Sequence, residues 1–352
     1  MQILMIGPHK DKIKGGMSSV IKSYVESKYL NGLEIFDLAS VSKGNKIVKS
    51  FYCLYSLVKL LYYMLFKDID IVHVHTASGK SFYRKSLFIN ISKLFNKKII
   101  LHIHGGGFEE FYLESNPSRK ANITKIINKC DKIIVLSDIW KSKIGVMTKK
   151  DIVVVSNSVD LNYNNKYNLN SKRITFIGRV EVEKGIFDLV EVASDIIKFD
   201  NNIKFVICGD GDIKRLKEMI KKYKLEDNFE LLGWINKEDI NNQLKNTEIF
   251  VLPSHKEAMP MSILEAMNYG IPIIATETGS IPEFVKKERN GITIEVSNKD
   301  KLKKSIIKLL KDRELRKIYS NNNYEDVRNM YCDSVNHKKL KNLYFQMINE
   351  EI

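Results

Sequence analysis

The chain has 352 residues, above what one hydrophobic core usually supports, so two domains of about 150 to 180 residues are expected. A composition of 44% hydrophobic and 28% charged residues is that of a soluble globular protein, and four isolated cysteines (Cys53, Cys130, Cys208, Cys332) exclude a disulfide framework or a zinc site and point to a reducing cytoplasm. The net charge of +15 is uneven: residues 1–170 carry 26 Lys and Arg against 13 Asp and Glu, whereas the remainder carries 31 against 29.

Such a basic half suits nucleic acid, an anionic membrane surface or an anionic substrate. No aromatic-interleaved basic motif or zinc spacing supports the first, so no nucleic-acid partner is expected.

In chain order, QILMIG reads as a first buried strand, with no basic region ahead of it and too few apolar residues for a signal peptide. Gly15 and Gly16, in KGGMSSVIKSY, then open an amphipathic helix. A glycine pair there lets backbone approach a ligand, and the helix end offers amides to an anion. From Phe51 to Phe66, FYCLYSLVKLLYYMLF is almost wholly apolar, with Lys49, Tyr52, Ser56, Lys59, Tyr63 and Lys67 forming a narrow polar stripe. It is too short to span a bilayer, which needs roughly 20 residues. The expected helix is buried against the first sheet or dips into a membrane from the basic domain.

IDIVHVH, KKIILHIH, KIIVLS and IVVVS continue the strand series. Between the first two, Ser78–Ser81 (SGKS) resembles the end of a P-loop, but Val74 stands where that loop needs glycine, which argues against an NTPase. His104 opens HGGG, the kind of loop that forms an oxyanion hole in lipases. The chain has no GxSxG, so a serine hydrolase is not expected. What remains is a structural histidine, or one at the carboxyl end of a parallel strand, where open α/β sheets bind ligands.

Asp160–Arg173, DLNYNNKYNLNSKR, reads as a polar linker, which places the domains at 1–162 and 163–334, with a C-terminal helix near 335–352 packing back on the first. RITFIG, IKFVICG, NFELLG, EIFVLP and IPIIAT form the second strand series. Continuous β-rich runs alternating with helices imply parallel sheets covered on both faces, hence two doubly wound, Rossmann-like α/β domains. Asp68–Asp70 and Asp210–Asp212 sit at strand and turn boundaries without a neighbouring ligand cluster, so metal ligation is not expected.

GRVEVEKG, Gly178–Gly185, puts Arg179 and Lys184 in the loop after the first strand of the second series, where fork and point charge together grip a diphosphate. Farther on, Pro260 suits the first position of a helix, which leaves Glu257 in the preceding loop and Glu265 in the second turn. The amides around Met261–Leu264 attract an anion, but a carboxylate touching the same phosphate opposes it. The glutamates are therefore assigned to vicinal hydroxyls. A ligand with a central diphosphate and a sugar at each end, a nucleotide-sugar, satisfies all three elements.

Taken together, EAMPMSILE, GRVEVEKG, ICGDGD, VVSNSVD, TGSIPEFV and the N-terminal KGGM resemble, in order and over nearly the whole chain, the GT-B glycosyltransferases of family 4. The resemblance implies two domains facing across a cleft and retention of anomeric configuration. It implies that Arg179 and Lys184 hold the donor diphosphate, Glu265 the ribose hydroxyls and Glu257 the transferred sugar. Backbone from Met259 and Pro260 through Met261, Ser262, Ile263 and Leu264, with Gly15 and Gly16, completes the phosphate cradle, and His104 approaches the transferred sugar. Ala258 and Met259 follow the first glutamate where the family commonly has glycine, and NSVD replaces NGVD. The expected partners are a nucleotide-sugar donor, a saccharide or lipid-linked acceptor and an anionic membrane surface, with no metal cofactor.

Overall fold

The computed structural model describes residues 1–161 and 167–349. The chain divides into two compact units: Met1–Ser158 with Asp333–Ile352, and Val159–Cys332. The boundary expected at 162/163 and part of the expected linker fall on residues 162–166, outside the described residues.

The first unit holds six parallel strands: β1 (Gln2–Pro8), β2 (Glu34–Val41), β3 (Ile69–Thr76), β4 (Lys98–Ile103), β5 (Lys132–Val135) and β6 (Ile152–Val154), in the order β2-β1-β3-β4-β5-β6. Ile3–Ile6 of β1 and Ile99–Leu101 of β4 are fully buried. A parallel strand needs a crossover of a dozen or more residues to reach its neighbour, and the crossover helices cover both faces. The C-terminal helix Asp333–Asn349 belongs to this unit, where the Tyr344 hydroxyl lies 2.6 Å from His73 Nδ1 of β3.

The second unit repeats the plan with β7 (Arg173–Ile177), β8 (Lys204–Cys208), β9 (Phe229–Gly233), β10 (Ile249–Leu252), β11 (Ile273–Thr276) and β12 (Gly291–Ile294), in the order β12-β11-β10-β7-β8-β9. Sequence order reverses between β7 and β10. Two strands, β2 and β12, escape the apolar-run pattern: β2 starts with a half-exposed segment, and β12 is four residues opening on glycine.

The apolar segment lies in a helix from Lys46 to Phe66, capped by the Asn45 side chain, which accepts from the Val48 amide at 2.9 Å. Burial against the sheet or dipping into a membrane was expected for this segment; only a narrow face, Ser56, Leu60, Tyr63 and Met64, is buried. Ser56 and Tyr63 are buried, with the Ser56 hydroxyl donating to Ala39 O of β2 at 2.6 Å and Tyr63 packing on Phe36. Phe51, Leu54, Val58, Leu65 and Phe66 face outward. A serine that can hydrogen-bond a carbonyl at the strand end fits closer to the sheet than a large side chain would.

Candidate active site

In an open α/β sheet, ligands bind beyond the carboxyl ends of the strands where the order reverses. In the second unit that point lies between β7 and β10, so the loops 178–185 and 253–260 form it. They meet backbone to backbone: the His255 amide donates to Glu183 O at 2.8 Å. Gly185 sits at φ +67°, and a Cβ there would lie 1.9 Å from Pro253 O, so only glycine permits this approach.

Lys184 ends a short turn, Val182–Lys184, that aims its amine at the second loop. Its Nζ lies 2.6 Å from Glu257 Oε1, and the buried Ser254 hydroxyl donates to the same oxygen at 2.9 Å. Thr276 Oγ1 in turn donates to Ser254 O. The backbone behind Glu257 is fixed as well: the Ser280 amide and hydroxyl both donate to Ala258 O, at 2.8 and 2.6 Å. Gly279, at φ +58°, lets this turn close, since a Cβ would lie 2.2 Å from Glu257 O. Glu257 is thus a buried, doubly held acceptor. Ser254, Thr276 and Ser280 were not singled out from the sequence, because short hydroxyl residues leave no periodic signal there; Ser280 does lie in the TGSIPEFV stretch.

Arg179 behaves differently. Its side chain is 68% exposed, and its Nε lies 3.3 Å from Glu181 Oε2. The two expected diphosphate cations therefore each rest on a neighbouring carboxylate, and an incoming anion competes with Glu181 for one and Glu257 for the other.

Glu265 stands in the second turn of the helix Met261–Asn268, whose N-terminus, at Pro260, carries no side-chain cap. The amides of its first turn are therefore open to a ligand. Burial pushes the Glu265 carboxyl up to about 7, opposed only weakly by the Lys237 charge. A carboxyl crowded by protein with no strong cationic partner is suited to receive hydrogen bonds from ligand hydroxyls.

Met259 is buried. Pro260 through Leu264 lead into and form the start of the same helix, so the two loops and this helix carry the residues expected in the second unit, of which Lys184 and Glu257 are in direct contact.

The first unit carries the remaining expected residues. Gly15 (φ +143°) precedes the helix Gly16–Val25, again without a side-chain cap. His104 follows β4, its amide donating to Thr76 O at 2.8 Å. Its Nε2 lies 2.9 Å from His75 Nδ1, leaving Nδ1 for a ligand, and burial lowers its ring to about 3, so it is neutral at physiological pH.

His104 ends a layer of four histidines that the sequence reading did not single out. His73 and His75 on β3 and His102 on β4 are fully buried, and burial lowers all three rings below the usual imidazole range. The alternation in HVH and HIH was the available signal, because residues two apart share one face of a strand. The ligand atoms of His73, His75 and His102 lie within 4.8 Å of one another. Their rings nevertheless stack, at 4.3 Å and 21° for His73–His75 and 5.3 Å and 12° for His73–His102. Near-parallel rings do not aim three lone pairs at one point, so the layer reads as a packed ladder that fixes His104.

Two family models match consecutive parts of the chain: Glycosyltransferase Family 4 over residues 36–163 and Glycosyl transferases group 1 over residues 162–326. The chain is a glycosyltransferase whose residues 162–326 match the group 1 model. Among curated relatives is the Escherichia coli UDP-Gal:alpha-D-GlcNAc-diphosphoundecaprenol alpha-1,3-galactosyltransferase, 27% identical over 90% of this chain and 85% of its own length. The fold is that of sucrose-phosphate synthase from Thermosynechococcus elongatus (TM-score 0.83, 16% identity, 99% of each chain). It is also that of an Anabaena protein solved with UDP-glucose (TM-score 0.77, 15% identity, 99% of this chain and 100% of that one). The protein is a GT-B glycosyltransferase with two six-stranded parallel sheets.

Proposed function

We propose that this glycosyltransferase moves a sugar, with retention of anomeric configuration, from a nucleotide-diphosphate sugar to a saccharide carried on a lipid diphosphate. The pathway we assign is surface polysaccharide or glycolipid assembly at the inner face of the membrane. The Lys184–Glu257 pair carries the reading: a cation and a hydroxyl acceptor lie 2.6 Å apart at the switch point of the second sheet. Donor binding exchanges partners there. Lys184 turns to the diphosphate, and Glu257, still held by Ser254, accepts from hydroxyls of the transferred sugar. Glu265 accepts from the ribose. The relative that acts on GlcNAc-diphosphoundecaprenol supports the lipid-linked acceptor.

The costly step is breaking the bond between the anomeric carbon and the diphosphate oxygen. Arg179, Lys184 and the amides at the start of the helix Met261–Asn268 stabilise charge developing on that oxygen, and preorganised donors of this kind are worth about 10²–10³ in rate each. We assign no metal to this step, since side-chain cations and amides supply the positive charge.

The test is a panel of nucleotide-sugars assayed for nucleoside-diphosphate release with and without lipid-linked GlcNAc. Release that requires the acceptor, with the product's anomeric configuration matching the donor's, supports the reading. Equal release without acceptor makes the protein a hydrolase and overturns it.

A further inference from the structure

The helix Lys46–Phe66 presents an uncovered apolar face. Phe51, Leu54, Val58, Leu65 and Phe66 are each between 59% and 71% exposed. With Ile47, Val48, Tyr55, Leu61 and Tyr62, also exposed, they recur at spacings of three and four. At about 100° per residue they cover roughly 140° of the helix circumference. Scattered surface hydrophobes need no explanation, but a continuous stripe five turns long does. The sheet contacts of Ser56, Leu60, Tyr63 and Met64 hold the helix with this stripe outward, so no repacking within the unit is needed to expose it.

The charges around the stripe identify its partner. From Lys43 to Lys67 there are five lysines and no Asp or Glu. Lys59 Nζ lies over the Tyr63 ring at 5.8 Å and Lys67 Nζ over Phe36 at 5.6 Å. Such stems run along apolar surface and leave the ammonium groups free to meet a polar layer. A helix with a wide apolar face, flanking lysines and ring side chains has the composition of one that lies in the plane of a membrane interface. No helix among the described residues is long and apolar enough to cross a membrane. We infer that the helix Lys46–Phe66 is a membrane-docking element that inserts its Phe51–Val58–Leu65 stripe among the acyl chains of an anionic leaflet, with its lysines at the headgroups. This deepens the lipid-linked reading by naming the surface through which the enzyme meets its acceptor's membrane.

The experiment is co-sedimentation of the full chain with phosphatidylglycerol-containing vesicles and with phosphatidylcholine vesicles. Alongside the parent, one variant carries Phe51→Glu, Val58→Glu and Leu65→Glu, and another carries Lys43→Ala, Lys46→Ala and Lys49→Ala. Acceptor-dependent donor turnover in detergent is measured on the same preparations. The parent is expected to pellet with anionic vesicles and stay bound in about 0.5 M salt, beyond the reach of most surface electrostatics. The glutamate variant loses at least tenfold in partitioning. The alanine variant loses about a hundredfold at low salt, from about fivefold per lysine. All six positions are exposed, so both variants keep the parent's circular dichroism and its turnover in detergent.

Parent protein left in the supernatant, release by salt, or equal binding of the glutamate variant overturns the inference. A parent dimer that the glutamate variant converts to monomer, without vesicle binding by either, assigns the face to a second copy and overturns it too. Turnover in detergent with no vesicle binding would sink this inference alone, whereas vesicle binding with no acceptor-dependent turnover would sink only the reaction proposed above.

Discussion

Glu265→Gln separates the stability of the second unit from its function. The Glu265 carboxyl is raised by burial from 4.5 to about 7, so between those values the folded chain holds a proton that the unfolded chain has lost. Folded protein is therefore progressively destabilised as pH rises through this window. Above pH 8 the cost reaches 2.303RT times the shift, about 3 kcal/mol. Glutamine copies the neutral form and does not titrate. The variant should match the parent near pH 4.5 and exceed it by about 3 kcal/mol at pH 8.5, or roughly 6–12 °C for a unit of this size. Thermal unfolding followed by circular dichroism across pH 4.5–8.5 measures the gap, and calorimetric titration with UDP in the same buffers measures donor-side binding. The more stable variant should bind UDP at least tenfold more weakly, because an amide cannot accept from both ribose hydroxyls as a carboxylate does. Parallel melting curves for parent and variant at all pH values would refute the buried-carboxyl argument, and unchanged UDP affinity would refute the ribose assignment.

Glu257→Ala should lower kcat by about 10²–10³ with little change in donor KM, since its contact is to the group being transferred, whereas Lys184→Met should lower kcat/KM by a similar factor through loss of leaving-group stabilisation. Steady-state kinetics on both variants decides between these patterns, and small equal effects on all parameters would count against the site. Turnover should survive exhaustive EDTA; activity lost and then restored by magnesium or manganese would reverse the metal-free assignment. Burial also holds the Lys85 amine, bonded to Ser40, well below the usual lysine range. The unfolded chain therefore binds the extra proton up to its own value near 10.5, and Lys85→Met should raise stability most below that pH, by equilibrium urea unfolding. Arg316→Ala should cost about 3–5 kcal/mol in the same assay, because it strands Glu248, its buried partner at 2.9 Å.

Much of this protein is local in character and therefore legible in one dimension. Period-free β-rich runs such as KIIVLS and RITFIG could only be strands buried on both sides, so two parallel α/β domains follow from the pattern itself. The pair Glu257 and Glu265, spaced around Pro260, and the loop with Arg179 and Lys184 declare their chemistry because few other uses exist for carboxylates and cations beside a helix start. Tertiary structure decided what depends on which neighbour arrives. It buried Ser56, Leu60, Tyr63 and Met64 and left Phe51 and Val58 outside, a choice that no helical wheel contains, because the wheel does not know that the Ser56 hydroxyl will meet the Ala39 carbonyl of another segment. It paired Lys184 with Glu257 across 73 residues of sequence, set Ser254, Thr276 and Ser280 behind them, and stacked four histidines from two strands and the loop after β4 into one layer. Backbone pattern is written by each segment alone, whereas a side chain's partner is fixed only when separate segments compete for the same buried space.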